Sequence, residues 1–275
     1  MNPRLWGIHG RPFIDLAPLI DTGGFAEIDR EICRGLATVE VGATGATLKW
    51  MGVVAPWQVD DDYRDAMWAV DEMSDDEWLD FVALADEPGR LRLADRAALR
   101  FGDETDHPFT RAQQRLLTVR HGVYFPWKTC YHLLENDRWE DRHSGAGKAF
   151  AAEAEAVFPR TVAFIRGLPF AEVGRAVIFG LEADDHAPLH RDSEPGAALT
   201  VAHGVSFAPR PGKRLYLQNA ADAPPTIVDA PIYWFNDMDY HGVLPDPFFR
   251  YSVRVDGVFT PEFARAIERH VRGSR

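Results

Sequence analysis

The sequence has little of several features that would assign it to a common class. It has only two cysteines, Cys33 and Cys130, far apart in the chain. Two such cysteines exclude a disulfide framework and a CxxC zinc pattern. No apolar run approaches about 18 residues, so no transmembrane helix is expected. The N-terminus lacks the long apolar region of a secretory signal, and a cytoplasmic location is predicted.

Positive charge is also scarce. The 30 lysines and arginines are outnumbered by 42 aspartates and glutamates, which gives a formal net charge of −12. This charge disfavours binding to nucleic acid through its phosphates, and neither a nucleic acid nor a membrane is predicted as a partner. The expected partner is a small molecule or a peptide, and the sequence leaves the oligomeric state open. A hydrophobic content of 46% is typical of a globular protein with a substantial core.

Hydrophobic periodicity predicts a helix-rich N-terminal region over residues 1–157, integral to the same domain as the rest of the chain. The residues from Ser74 to Glu77 have the form of a capping box, which predicts a helix start. The acidic run at 60–62 is interpreted as a helix N-terminus favoured by the helix dipole, not as a metal site. Helices are predicted over residues 60–72, 74–85, 147–158 and 160–167.

Residues 158–259 have a different texture, with short β-rich runs separated by glycine, proline, asparagine and aspartate. Regularly spaced runs of this kind predict an antiparallel sandwich or small barrel. Thr260 and Pro261 are typical N-cap and first-turn residues, so a C-terminal helix is predicted over 260–275. The predicted strands are 176–179, 198–201, 214–217, 226–228, 232–235 and 251–255.

The triplet His190-Arg191-Asp192 and the later His241 are the most informative positions. Residues i and i+2 of an extended segment point to the same face, so His190 and Asp192 would project together into a barrel interior. Two imidazoles and one carboxylate on one face suit a non-haem Fe(II) oxygenase, because other coordination positions stay open. His-x-Asp pairs also arise by chance in a chain with ten histidines. The pair alone therefore does not establish a metal site.

A second polar group follows, in which Arg250, Ser252 and Arg254 alternate on one predicted strand. A buried arginine needs an anionic partner, because an unpaired buried charge is very costly. Its planar guanidinium suits a carboxylate, and a serine two residues on can donate to the same acid. The alternative, solvent-facing arginines on an edge strand, is disfavoured by their conjunction with the histidines and Asp192. Arg254 is a second acid clamp, a substrate anchor or a structural salt-bridge partner.

With these residues, the segment from about 158 to 259 resembles the Fe(II)/2-oxoglutarate-dependent dioxygenases. The matching positions are His190-x-Asp192 and His241 for the iron pattern and Arg250-x-Ser252 for the 2-oxoglutarate pattern. The segment is most similar to the aspartyl/asparaginyl β-hydroxylase-like branch, through Phe158-Pro159-Arg160-Thr161, Leu168-Pro169-Phe170 and the ending from His241-Gly242-Val243 to Val255-Asp256. Some members of that branch lack the carboxylate ligand, so Asp192 favours hydroxylation over a halogenase site. The first half of the chain matches no family.

The resemblance implies an α+β fold, with a double-stranded β-helix (jelly roll, cupin-like) core and the helix-rich N-terminal region packed on it. It implies Fe(II) on His190, Asp192 and His241, with O2 as oxidant. It also implies 2-oxoglutarate as cosubstrate, with its distal carboxylate on Arg250 and Ser252. The implied reaction is hydroxylation of an amino acid, a peptidyl residue or a related small molecule, with release of succinate and CO2. The alternative is a non-catalytic cupin-like module that binds a metal or a ligand.

Two further groups keep alternatives open. Asn236, Asp237 or Asp239 is expected to hydrogen-bond the metal-binding histidines, and the sequence does not choose among them. The aromatic cluster at 125–132 either walls the pocket or packs the two halves of the chain together. The substrate stays unidentified, and desaturation, epimerisation or ring formation could replace hydroxylation on the same iron centre.

Overall fold

The structure is a computed structural model that describes residues 6–45, 51–54, 65–96, 109–134, 141–192, 201–210, 212, 214–218 and 223–273. The strands in these ranges are β1 (Phe13–Asp15), β2 (Thr129–His132), β3 (Phe170–Leu181), β4 (Ala187–His190), β5 (His203–Phe207), β6 (Leu215–Leu217), β7 (Thr226–Ile227), β8 (Ile232–Phe235), β9 (His241–Val243) and β10 (Arg250–Phe259). The helices are α1 (Phe25–Leu36), α2 (Ala66–Asp71), α3 (Asp75–Ala83), α4 (Glu87–Arg92), α5 (Arg111–His121), α6 (Ala152–Val157), α7 (Pro159–Gly167) and α8 (Pro261–Gly273).

The strands form two antiparallel sheets whose strand orders define a jelly roll. The larger sheet has the order β1-β8-β5-β10-β3-β2, and the smaller has the order β4-β9-β6-β7. From β3 to β10 the chain passes repeatedly from one sheet to the other, as the two Greek keys of a jelly roll require. The predicted α+β fold with a double-stranded β-helix core is confirmed. The N-terminal region contributes β1 and β2, one at each edge of the larger sheet.

The two faces of the larger sheet have different neighbours, because successive side chains of a strand point to opposite sides. On one face, Val253 and Val255 of β10 pack with apolar residues of α1, α7 and α8. The other face looks onto the smaller sheet across an interior with its own apolar cluster. The alternate residues Ser252, Arg254 and Asp256 therefore point into that interior.

Two predicted helix starts are confirmed. The Ser74 hydroxyl accepts from the Glu77 N–H, and the Glu77 carboxylate accepts from the Ser74 N–H, which completes the capping box of α3. The Thr260 hydroxyl accepts from the Phe263 N–H at 3.2 Å and caps α8. Among the described residues, no helix is long and apolar enough to cross a membrane.

Other predicted boundaries are wrong. The helix predicted over 147–158 begins only at Ala152, because Gly147 adopts a left-handed φ of 73° in the preceding turn. Val201, the last residue of the strand predicted at 198–201, is not in a strand, and β5 begins two residues later. Residues 198–200, like the acidic run at 60–62, lie outside the described residues. The pattern misses β5 because Gly204 and Ser206 interrupt its apolar run.

His132 makes the stability of the fold depend on pH. Both its ring nitrogens are inaccessible to solvent. Burial and then the nearby Arg175 lower the pKa of His132 to about 4, against roughly 6.5 in an unfolded chain. Between these values the unfolded chain binds a proton that the folded protein does not, so the free energy of unfolding should fall as the pH drops from about 6.5 towards 4.

We expect His132→Gln to remove this contribution, by at most about 1.4 kcal/mol per pH unit. Urea titrations of the wild type and the variant between about pH 4 and 7 measure the difference in slope. Identical slopes would show that His132 is protonated equally in the folded and unfolded states.

Candidate metal centre and acid-binding cavity

His190, Asp192 and His241 meet at one end of the smaller sheet. The pairing of β4 with β9 sets His190 opposite His241, and their ring centroids lie 4.4 Å apart. Asp192 follows β4, where its N–H donates to the Asp237 carbonyl at 3.0 Å. Its Oδ1 lies 3.4 Å from Nε2 of each histidine. One potential ligand atom from each residue lies within 4.8 Å of the others.

Backbone carbonyls fix both imidazole rings. Nδ1 of His190 donates to the Pro188 carbonyl at 2.7 Å, and Nδ1 of His241 donates to the Asp239 carbonyl at 2.9 Å. A carbonyl only accepts, so each Nδ1 carries the hydrogen and each Nε2 is directed towards Asp192. Nε2 of His190 is buried with no hydrogen-bond partner among the described residues. A divalent cation would satisfy this lone pair, so the donor set fits a metal.

The three residues shift one another's pKa values. Burial raises the pKa of Asp192, but the neighbouring imidazoles of His241 and His190 hold it well below its usual range. Burial and the neighbouring His241 lower the pKa of His190. Burial also lowers the pKa of His241, but the Asp192 carboxylate outweighs burial, so the net shift is upward. Asp192 is therefore ionised at neutral pH, which is the form that binds a metal.

Trp6 and Gly7 contact the chain on either side of the triad residues, at Asp239 and Arg191. The Asp239 carboxylate accepts from the N–H groups of Trp6 and Gly7, both at 2.7 Å. The Arg191 guanidinium lies 3.8 Å from the Tyr240 ring centroid and 5.3 Å from that of Trp6. Arg191 thus makes cation–π contacts while its two neighbours belong to the candidate metal-binding triad. Asp239 thus accepts from His241 through its backbone carbonyl and from Trp6 and Gly7 through its carboxylate.

The larger sheet presents a cation, Arg254, to a cavity that the triad also lines. Arg254 lies in register with Ser206 on β5, and Ser206 lies in register with Tyr233 on β8. These three residues and Ser252 line a cavity together with the triad. The apolar part of its wall consists of Met51, Trp127, Phe179, Leu215, Phe235 and Val243. The aromatic cluster at 125–132 thus contributes a cavity wall through Trp127.

Arg254 belongs to a buried chain of five charged side chains. Its Nε lies 2.7 Å from Asp256 Oδ1, and its Nη2 lies 3.4 Å from Asp237 Oδ2. Asp256 also accepts from Arg175 Nε at 2.7 Å, and Asp237 Oδ2 lies 2.9 Å from Arg142 Nη1. All five side chains are at most 10% exposed. Three guanidinium groups against two carboxylates leave one positive charge in excess.

The pKa shifts of Asp256, Arg175 and Arg254 keep these three groups charged at neutral pH. Burial raises the pKa of Asp256, but Arg175 and Arg254 outweigh it and lower the value to about 2. Burial lowers the pKa of Arg175 to about 10 despite the adjacent Asp256. Burial also lowers the pKa of Arg254, but its carboxylate neighbours raise it further than burial lowers it. The excess positive charge is therefore permanent.

Arg250 lies elsewhere. Its guanidinium donates to four backbone carbonyls at 2.8–3.2 Å. These acceptors belong to Asp185, Leu244, Asp246 and Phe248. Arg250 is the first residue of β10, so it ties the turns before β4 and β10 together and does not line the cavity. The predicted acid-clamp role of Arg250 is not matched by this placement, whereas Ser252 and Arg254 lie with the triad.

No protein-family model and no curated protein matches the chain. Similar solved structures include an oxidoreductase of the 2OG-Fe(II) oxygenase family from Burkholderia pseudomallei, 12% identical over 46% of this chain and 66% of that chain, with a TM-score of 0.30. A Pseudomonas putida prolyl-4-hydroxylase is 13% identical over 47% of this chain and 71% of that chain, with a TM-score of 0.28. A viral collagen prolyl hydroxylase from Paramecium Bursaria Chlorella virus-1 is 5% identical over 46% of this chain and 77% of that chain, with a TM-score of 0.27. Likenesses this distant carry no inference about chemistry.

Sequence reasoning missed Arg175, Ser206 and Tyr233 as cavity residues, and it missed Arg142 as an ion-pair partner of Asp237. A usable signal was the glycine inside β5, since a glycine within a strand often marks a close approach. A Cβ at Gly204 would lie 2.6 Å from Arg254 Nη2 and 2.8 Å from Asp256 Oδ1. The absent side chain leaves room for the Arg254–Asp256 ion pair.

Gly204→Ala should therefore displace this ion pair and lower the free energy of unfolding by about 1–3 kcal/mol, the usual cost of overpacking. Gly167→Ala is the matched control, because a Cβ at Gly167 meets nothing within 4 Å. Urea unfolding of both variants measures the effect. Equal stability of the two variants would mean that the ion pair adjusts without cost.

Proposed function

We propose that the chain is an Fe(II)- and 2-oxoglutarate-dependent dioxygenase that hydroxylates an amino acid, a peptidyl residue or a related small molecule. The observation that carries the proposal is that two sites face one cavity. A His-Asp-His donor set lies on the smaller sheet, and a buried excess positive charge lies on the larger one. 2-Oxoglutarate has a keto acid at one end for a metal and a carboxylate at the other for a cation.

His190, Asp192 and His241 would hold the iron, through two imidazole nitrogens and one ionised carboxylate. This set leaves coordination positions open, as oxygen-activating Fe(II) sites require. When bound, the iron supplies oxygen activation coupled to the conversion of 2-oxoglutarate to succinate and CO2. The chain contributes ring orientation, because the carbonyls of Pro188 and Asp239 hold both Nδ1 atoms.

Arg254 is the residue to which we assign the distal carboxylate of the cosubstrate. It lines the cavity with Ser252, Ser206 and Tyr233, which offer hydroxyl groups. Burial raises the pKa of Tyr233 to about 12, so its hydroxyl keeps its proton and can donate. A guanidinium with neighbouring hydroxyl donors suits a carboxylate.

The charges of the site favour a dianion. The guanidinium groups of Arg142, Arg175 and Arg254 balance the carboxylates of Asp192, Asp237 and Asp256. With the histidines neutral, a bound divalent cation then leaves two positive charges in a buried region. Buried net charge is costly unless it is compensated. The two carboxylates of 2-oxoglutarate would neutralise the site.

The apolar wall supports a sheltered reaction site. The Trp127 ring centroid lies 5.9 Å from that of His190, and the Phe235 ring centroid lies 4.9 Å from that of His241. Such rings exclude water beside the metal-binding atoms. Membership of the aspartyl/asparaginyl β-hydroxylase-like branch is a finer proposal that rests on sequence motifs, and Asp192 agrees with hydroxylation within it.

The test is the conversion of 2-oxoglutarate to succinate by Fe(II)-loaded protein, with O2 consumption, ascorbate and a panel of amino acids and peptides. We expect succinate formation that requires iron and increases with a true substrate. Metal-dependent binding of 2-oxoglutarate without succinate across the panel would instead identify a non-catalytic cupin-like binding module.

A further inference from the structure

Arg142 reaches the interior from a segment outside strands β3 to β10. Residues 141–148 lie against the start of β3, where the Gly145 N–H donates to the Glu172 carboxylate at 3.0 Å. Nζ of Lys148 donates to the Gly174 carbonyl at 2.9 Å. A Cβ at Gly174 would collide with the Arg142 carbonyl, so the glycine permits this approach. The segment is thus anchored, and Arg142 is 8% exposed.

Asp237 is the group that Arg142 reaches. Its Oδ2 lies 2.9 Å from Arg142 Nη1 and 3.4 Å from Arg254 Nη2, so two arginines share one carboxylate oxygen. The Asp237 carbonyl accepts from the Asp192 N–H at 3.0 Å. The main chain of Asp237 is therefore held against Asp192. This hydrogen bond fixes the backbone position from which the Asp237 side chain extends.

We propose that Arg142 is a positioning residue that, through Asp237, keeps Arg254 available to an acid in the cavity. This inference rests on the proposed function. The Asp237 carboxylate is divided between two guanidinium groups, and Arg142 makes the shorter contact. Without Arg142 the carboxylate would pair with Arg254 alone. Because a buried carboxylate needs a cation, it would draw Arg254 away from an incoming carboxylate.

A purely structural role for Arg142 makes a different prediction. If Arg142 only neutralises Asp237, its loss destabilises the fold, and the effect on acid binding is incidental. If Arg142 acts through Asp237 on Arg254, removing the Asp237 charge as well should release Arg254 again. The double variant therefore separates the two roles, because directly coupled residues give non-additive effects.

The experiment uses the full chain loaded with Mn(II) under anaerobic conditions, titrated calorimetrically with 2-oxoglutarate. Arg142→Met should weaken 2-oxoglutarate binding about tenfold, with Mn(II) affinity unchanged. Arg142→Met with Asp237→Asn should bind 2-oxoglutarate more tightly than Arg142→Met alone. Arg142→Lys, which keeps the charge, should lie between the wild type and Arg142→Met. The control is Arg166→Met, since Arg166 forms an exposed surface pair with Glu155 and should bind as the wild type does.

Unfolding by urea is measured in parallel so that affinities are compared only for folded protein. Wild-type affinity in Arg142→Met, or weaker binding in the double variant than in Arg142→Met, would overturn the positioning role. Should Arg142→Met fail to fold, the comparison of Arg142→Lys with the wild type decides, and equal affinity overturns the role. Absence of metal-dependent binding in the wild type would instead refute the proposed function.

Discussion

Replacement of either histidine of the triad, by His190→Ala or His241→Ala, should abolish tight divalent-metal binding and reduce 2-oxoglutarate turnover to background. Each histidine supplies one of two imidazole nitrogen donors whose orientation is fixed by a carbonyl. Loss of a group that only orients a ligand typically costs about 10–100-fold in metal affinity, so loss of the ligand itself should cost more than about 100-fold. Equilibrium dialysis with Mn(II) measures the affinity, and succinate release measures the turnover.

The control for this prediction is His186→Ala. His186 stacks on Tyr124 with ring centroids 4.7 Å apart and lies outside the triad. Its replacement should leave Mn(II) affinity within about threefold of the wild type, because it removes no donor atom from the metal-binding set. Wild-type metal affinity in His190→Ala would exclude the triad as the metal site. An equal loss in His186→Ala would show that the effect is not specific to the triad.

Arg254→Met and Arg250→Met should affect different properties, although both arginines belong to β10. Arg254→Met removes the cation that faces the cavity, so 2-oxoglutarate affinity should fall by about 100-fold, typical of truncating one partner of a buried charge pair. Arg250→Met removes the guanidinium that donates to four backbone carbonyls, while the Asp246 carboxylate keeps its pair with Arg214. The free energy of unfolding should therefore fall by roughly 3–5 kcal/mol, because several carbonyls each lose a donor at a cost of about 1–3 kcal/mol, with cosubstrate affinity retained in the folded protein.

Urea unfolding and anaerobic calorimetry on the same preparations distinguish these effects. The decisive comparison is the affinity of folded Arg250→Met for 2-oxoglutarate. If this variant keeps wild-type stability and loses the cosubstrate, the sequence motif has identified the acid clamp correctly, and Arg254 is only a partner of Asp237 and Asp256.

The proximity of His190, Asp192 and His241 could be predicted from sequence, but the spacing argument for it was only partly right. The i, i+2 spacing was expected to place His190 and Asp192 on one strand face. In the structure β4 ends at His190, and Asp192 is held instead by its N–H bond to Asp237. The hydrogen bonds to the histidines were expected from a polar residue at 236–239. His241 uses the backbone carbonyl of Asp239, which every residue type possesses and no sequence pattern identifies.

The side of the cavity formed by β10 was less predictable. Alternation puts Arg250, Ser252 and Arg254 on one face of β10, but it does not say where along the strand the cavity begins. The structure places that point after Arg250, because the turn before β10 supplies carbonyls for its guanidinium. Arg142 contacts Asp237 from a distant segment in which no local sequence pattern marks it. This contact depends on the close approach of the two segments that Gly174 permits.

Anaerobic titration of the wild-type protein with 2-oxoglutarate, with and without Mn(II), tests the central claim that one cavity joins a metal site to an acid site. We predict one 2-oxoglutarate per chain in the presence of Mn(II) and much weaker binding without it. Glutarate, which lacks the keto oxygen, should bind weakly in both conditions. Equal affinity for 2-oxoglutarate with and without the metal would contradict the claim.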